Sequence, residues 1–318
     1  MLQKILLCLF FSSFHFSFLA IAAEANEPYS SISEAEVKSK PVDIDDDITN
    51  AKLRAESGAK KKYFLRSSLT YNGGPISQPL SELSPDLNTF NPNLQVSTLL
   101  FGSLGASYRL NESDNLSLSG SLGIRQPFQS HTNRDFAKEF NLLNPTLTWS
   151  KATFSTVQMF TSVSATRLTS ESSQTSGSLG SLDVSQTLLH SLIVIPIDIG
   201  ITISAGTTFF KDLAPQFCVA GYGQPICFPR RDAYMSLLPY FEYRISDRLS
   251  INTSLNAFYF YHTKNDALVF NHEGIAVQTL GLGYALTRDI YISPYVQFVP
   301  QDLRAARTIT TISATINL

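Results

Sequence analysis

Apolar and polar side chains alternate with a period of two from Val96 to Arg125, interrupted by one turn. Val96, Leu100, Leu104, Ala106, Tyr108 and Leu110 fall on one face of an extended chain. Ser97, Ser103, Ser107 and Arg109 fall on the other, and only Leu99 and Phe101 depart from the pattern. After the polar run 111–115, Leu116, Leu118, Leu122 and Ile124 oppose Ser117, Ser119, Ser121 and Arg125. This spacing is that of a β-strand with one apolar face. Both runs exceed the roughly 5 to 6 residues of a globular strand and reach the roughly 9 to 11 that a tilted strand needs to cross a bilayer.

The same rule predicts twelve strands, at about 63–72, 96–110, 116–125, 143–150, 154–167, 182–192, 197–209, 233–245, 249–262, 274–286, 290–299 and 307–318. The seventh alternates most cleanly: Ile197, Ile199, Ile201, Ile203 and Ala205 against Asp198, Gly200, Thr202, Ser204 and Gly206. The sixth alternates least cleanly. Pro145, in the fourth, has no N–H for a ladder, so a bulge near one rim is expected there. In the ninth, the phase puts Tyr259 and Tyr261 on the apolar face and His262 on the polar one. Long polar connections follow the odd strands and tight turns follow the even ones, an arrangement that turns the short connections to the periplasm in outer-membrane barrels. An even strand number then places both termini there. Tyr63, Tyr71, Tyr108, Phe209, Tyr243, Tyr261 and Phe298, near strand ends, are expected to form interfacial girdles. The fold class is therefore all-β, a transmembrane antiparallel up-and-down barrel over 62–318.

Composition supports this. Charged residues make up 16% of the chain, against about 25% in a typical soluble domain; a barrel hides its belt in lipid and lines its interior with hydroxyls. No stretch after residue 25 approaches the roughly 18 apolar residues of a membrane helix, which excludes a helical membrane protein. A soluble twelve-stranded sandwich would need shorter strands and more charge. The formal net charge of -2 supplies no basic field for nucleic acid.

At the N-terminus, Lys4, the apolar run 5–11 and the small residues Ala20, Ala22, Ala23 and Ala25 read as a signal peptide over 1–25. Segment 26–61, with Glu27, Asp43, Asp45, Asp46 and Asp47, reads as an acidic flexible periplasmic extension. Within it Asn50 is placed to cap a short helix through Glu56, and the alternative use of that helix is a plug inside the barrel. Cys218 and Cys227, eight residues apart in an exported chain, read as one disulfide closing a loop. Without clustered histidines they make a poor metal site, so neither metal nor cofactor is expected.

From Tyr63 to Leu318 the chain resembles bacterial outer-membrane β-barrel proteins as a class. The last strand carries Ile312, Ala314, Ile316 and Leu318 outward and Ser313, Thr315 and Asn317 inward, and resembles the ending read by the barrel assembly machinery; Leu318 stands where such proteins commonly end in Phe. The resemblance implies an outer-membrane location, with the export and assembly machinery, membrane lipid and lipopolysaccharide as partners.

Function rests on the lumen. Arg66, Arg109, Arg125, Asp198, Glu242, Arg244 and His262 share the inward phase. In a channel such groups set ion preference, and the arginine excess suggests a mild anion preference. Twelve strands lie between packed eight-stranded barrels and open porins of sixteen or more. The leading expectation is a narrow porin-like channel for small hydrophilic solutes or ions. The alternative is a sealed structural or adhesive barrel acting through its loops, recognisable by side chains or segment 26–62 filling the lumen. A phospholipase-like enzyme needs a Ser, a His and an orienting group in one constellation. His131, His190, His262 and His272 lie in no His-x-Ser-Asn arrangement, so no catalytic residue is assigned.

Overall fold

The computed structural model describes residues 50–87, 93–128, 143–153, 157–192, 195–212, 214, 216–219, 226–263, 270–272 and 274–318. The expected signal peptide, residues 26–49 of the expected extension, and His131 lie outside the described residues. Twelve strands form the wall: β1 (Tyr63–Asn72), β2 (Leu99–Arg109), β3 (Asp114–Arg125), β4 (Leu143–Thr153), β5 (Val157–Arg167), β6 (Ser178–Ser191), β7 (Ile197–Phe210), β8 (Arg231–Arg244), β9 (Leu249–Asn256 and Phe258–Thr263), β10 (Val277–Thr287), β11 (Ile290–Phe298) and β12 (Thr308–Asn317). Each pairs antiparallel with its neighbour, and β1 closes the cylinder on β12 with Arg66 opposite Asn317. The chain end is stitched to the first strand by reciprocal backbone bonds between Leu65 and Leu318, 2.9 and 2.8 Å.

The alternation sorts as the sequence predicts. Leu65, Leu118, Leu147, Ile199, Leu280 and Ile312 stand exposed on the outside. Inside, hydroxyls face each other across strand pairs: Ser68 with Ser103 at 2.8 Å, Thr146 with Thr166 at 2.9 Å, Ser162 with Ser185 at 3.0 Å, Thr187 with Thr202 at 2.9 Å and Ser254 with Thr279 at 2.8 Å. Such pairs satisfy polar groups across the wall and leave further lone pairs for water. Every wall strand pairs on both sides, β9 with β10 up to Asn256 and with the short ribbon Phe270–His272 beyond its bulge, which is what a spanning sheet requires in hydrocarbon.

The bulge expected at Pro145 is present. The register shifts between Ser119 and Ser121 of β3, Asn144 takes φ 52°, and its side-chain oxygen accepts from the N–H groups of Thr169 and Ser170 at 2.8 and 3.1 Å. The connection expected at 169–181 is shorter than that, because Ser170 caps a helix, Glu171–Ser176, and β6 starts at Ser178.

A second bulge was not legible and corrects the ninth strand. Tyr240 pairs with Ser254, but Leu237 pairs with Phe258, so Ala257 is one residue too many for the ladder and the side-chain phase flips beyond it. Tyr259 and Tyr261 therefore face the lumen with Tyr234. His262 faces outward near the long-loop rim, its Nδ1 2.6 Å from Asp232 and its ring beside Phe270. Tyr71 keeps its outward phase but is no free girdle residue: its hydroxyl donates to the Pro79 carbonyl at 3.0 Å and Phe128 packs edge-on against it.

Two segments enter the cylinder. One is the helix α1 (Ala51–Glu56). The other is the connection after β1, whose short ribbon Leu83–Pro85 pairs with Gln95–Ser97 and whose Leu87 is buried against Val277 and Val299. Among the described residues the buried apolar clusters all form where these two segments meet the inner wall.

Candidate functional site in the lumen

Asn50 organises the site. Its side-chain oxygen accepts from the Leu53 N–H at 3.0 Å, capping α1 as the sequence predicts. Its amide nitrogen donates to Asp198 at 2.9 Å and to Glu242 at 2.7 Å. Those two carboxylates are opposite each other on β7 and β8 and are 0% and 1% exposed. Arg244 lies 3.5 Å from Asp198, and the Tyr240 hydroxyl donates to Glu242.

Leu53 packs on Leu189, Phe160 and Tyr240, whereas Ala55 packs on Ala285 and Tyr291. Two residues apart on a helix means about 200° of rotation. Ala51 shares the Ala55 surface while Leu53 meets a different part of the wall; with Asn50 held by β7 and β8 and the other end by Arg109 of β2 and Asn115 of β3, the helix lies across the lumen. Beyond it, Gly58 takes φ +85° and sits under Phe64, where a Cβ would come within 2.5 Å of the ring. Wall side chains meet carbonyls at this end: Asn317 donates to Ala55 at 2.9 Å, Asn115 to Ser57 at 2.9 Å, and Arg288 and Arg109 to Gly58 at 2.9 and 3.4 Å. Carboxylates thus meet the positive end of the helix and guanidinium groups its negative end. Every wall residue in this set lies in or beside a tight turn, so α1 occupies the tight-turn rim.

Residues 50–59 of the segment 26–61 are seated in the barrel: Leu53, Ala55 and Ala59 are buried and Asn50 meets two carboxylates. Lys60, Lys61 and Lys62 are exposed at that rim, with Lys62 over the Tyr108 ring at 5.6 Å.

Of the residues picked from sequence, Asp198, Glu242, Arg244 and Arg109 gather around α1, and Arg66 interacts electrostatically with Glu56. Arg125 keeps the inward register opposite Leu99 but lies exposed at the other rim. His262 is outside. Asn50, Asn115, Asn317 and Arg288 were missed as site residues; the signal that points to the first three is an asparagine at the end of a helix or strand, a costly group to bury without a partner. Cys218 and Cys227 stand opposite each other in a loop ribbon, Gln216–Val219 with Ile226–Pro229, and form the expected disulfide.

Between α1 and the inserted connection lies a cavity of about 860 Å³. Asn50, Lys52, Leu53 and Glu56 bound it at one end, and Pro85, Asp86, Leu87 and Val96 at the other. An exterior of exposed Leu and Ile around a closed ladder, with hydroxyls and a polar cavity inside, has one home. The fold is that of an outer-membrane β-barrel.

No protein-family model and no curated protein sequence matches the chain. Solved structures similar to this barrel include an outer membrane channel from Pseudomonas putida F1, at 10% identity and TM-score 0.48, covering 83% of this chain and 98% of that one. The NanC porin is similar at 12% identity and TM-score 0.41, covering 80% and 100%. The KdgM porin, in complex with disordered oligogalacturonate, is similar at 9% identity and TM-score 0.39, covering 80% and 98%.

Proposed function

We propose that this outer-membrane barrel is a channel for small hydrophilic solutes whose periplasmic mouth is plugged by α1. The observation that carries the reading is the hydroxyl- and amide-lined cavity above the helix, a volume that a barrel serving only as an anchor would fill with side chains. The plug is held by wall groups that are themselves polar, Asn115, Asn317, Arg109, Arg288, Asp198 and Glu242, which water can replace when the helix leaves. Two apolar contacts, Leu53 and Ala55, add the rest.

The occupied mouth is also the observation that favours a sealed barrel acting through its loops. Planar-bilayer recording separates the two. The full-length chain is expected to conduct rarely, and a chain lacking residues 26–57 to show discrete, frequent steps. A truncated barrel that still migrates as a folded species before boiling, yet never conducts, ends the channel reading.

A further inference from the structure

The charges and the open space of the lumen are in different places. Among the described residues lining the cavity, the ionisable acids and bases are Lys52, Glu56 and Asp86. Lys52 and Glu56 face each other at 4.0 Å on α1. The arginines that the sequence offers for an anion, Arg66, Arg109 and Arg244, do not line it; they are gathered about the helix with Glu56, Gly58 and Asp198. A cavity without a free-standing cationic wall gives an anionic solute nothing to replace its hydration.

What lines it instead is the Tyr295 ring with the amides of Asn252, Asn256 and Gln297, while Tyr240 and Tyr291 at its floor carry Lys52, Leu53 and Ala55 of the plug. Further along the wall toward the long-loop rim, Tyr234 and Tyr259 stack with ring centres 5.9 Å apart, Tyr261 follows at 6.4 Å, and Arg231 covers its ring at 3.9 Å. The bulge at Ala257 is what turns this run of rings inward. The Tyr234 hydroxyl donates to Asp183 at 2.8 Å, and Gly206 beside it leaves room for the ring.

Sugar rings present two surfaces at once. Their axial C–H bonds are weakly positive and settle on the negative face of an aromatic ring. Their hydroxyls are paired donors and acceptors, which a carboxamide meets with one of each. We infer that the cavity takes an uncharged oligosaccharide of two or three units, and that the tyrosines of β8 and β9 guide it in from the long-loop rim. The volume lies within the roughly 300–1,000 Å³ of sites for ligands of that size. The inference rests on the channel reading and names the solute class of the same lumen.

The test titrates maltotriose, trigalacturonate and toluene into the purified full-length barrel in detergent by calorimetry, alongside bilayer recordings of the chain lacking residues 26–57. Maltotriose is expected to bind saturably and the other two not. Tyr295→Ala and Asn256→Ala, both in the cavity lining, are each expected to weaken maltotriose about tenfold, the loss of an aromatic face or of a paired donor and acceptor. Tyr295→Phe, which keeps the ring, is expected to bind within a few-fold of the parent. Heat-modifiable migration verifies that each variant is folded, and Asn256→Ala and Tyr295→Ala serve as independent readings should one fail to fold. Trigalacturonate or toluene binding as tightly as maltotriose, or no saturable heat from maltotriose, overturns the inference. Conductance steps without maltotriose binding leave the channel and remove the sugar; maltotriose binding without steps supports the sugar site and removes the channel.

Discussion

Asn50 performs three tasks that no other side chain performs together. One lone pair caps α1, and its two N–H groups satisfy two buried carboxylates. Hydrogen bonds to charged groups contribute about 1.5–3 kcal/mol each, so Asn50→Ala is expected to loosen the plug strongly. Asn50→Asp adds a third carboxylate to Asp198 and Glu242 and is expected to release the helix altogether. Trypsin cleavage at Lys52 and Arg54 of the folded barrel, fast in both variants and slow in the parent, checks this. Gly58→Ala is expected to act from the other end, since a left-handed φ costs a side chain roughly 1–2 kcal/mol and the Phe64 ring occupies its space. A pH effect belongs to the last loop. Arg304 donates to Asp302 at 2.6 and 2.5 Å and holds its carboxyl below the usual carboxylate range. A lowered folded value means the contribution is whole above the ordinary carboxylate value, about 3.9, and is lost as pH falls through the lowered one. Arg307, which shares Asp302 and donates to the Asp86 carbonyl at 3.0 Å, ties that pair to the inserted connection. The protection of amides 83–87 and 95–97, taken as hydrogen exchange relative to the free-peptide rate at the same pH, is expected to be high at pH 6 and to fall under strong acid; equal protection would show that the pair does not support this connection.

At the scale of elements, the strands owe little to distant partners, and their two faces were readable in advance because a closed wall asks the same thing of every strand. Register was readable only where the phase is unbroken. Ala257 has no composition that marks a bulge, and one extra residue moved Tyr259, Tyr261 and His262 to the opposite faces. Single-cysteine labelling tests the correction: Tyr259→Cys is expected to react with a water-soluble maleimide, and Phe258→Cys, facing lipid, to resist it. The helix reads differently again. Its cap and length were legible from Asn50 and the good helix formers after it, since capping is local. Its seat was not, because Leu53 and Ala55 choose walls contributed by β5 to β12.

For the whole molecule, the even strand count brings both chain ends of the barrel to one rim, and the tight turns gather there. That rim is proposed to face the periplasm. An epitope placed between Cys218 and Cys227 is therefore expected to be stained on intact cells, and one at residues 26–49 only after the outer membrane is permeabilised; the reverse result inverts the orientation. Removing the disulfide with Cys218→Ser and Cys227→Ser is expected to cost the loop ribbon roughly 2–3 kcal/mol by the chain-entropy argument. The wall, whose strands pair without the ribbon, should keep its heat-modifiable migration. The period-two pattern by itself determined the wall, the strand number and the sidedness of most residues, because in a barrel each residue's environment is set by its parity along the strand. Only the tertiary structure decided what fills the cylinder: the fit of α1 between Asp198, Glu242, Arg109 and Arg288 joins residues as much as 230 positions apart, and no local pattern encodes where a polar group finds its partner across an enclosed space.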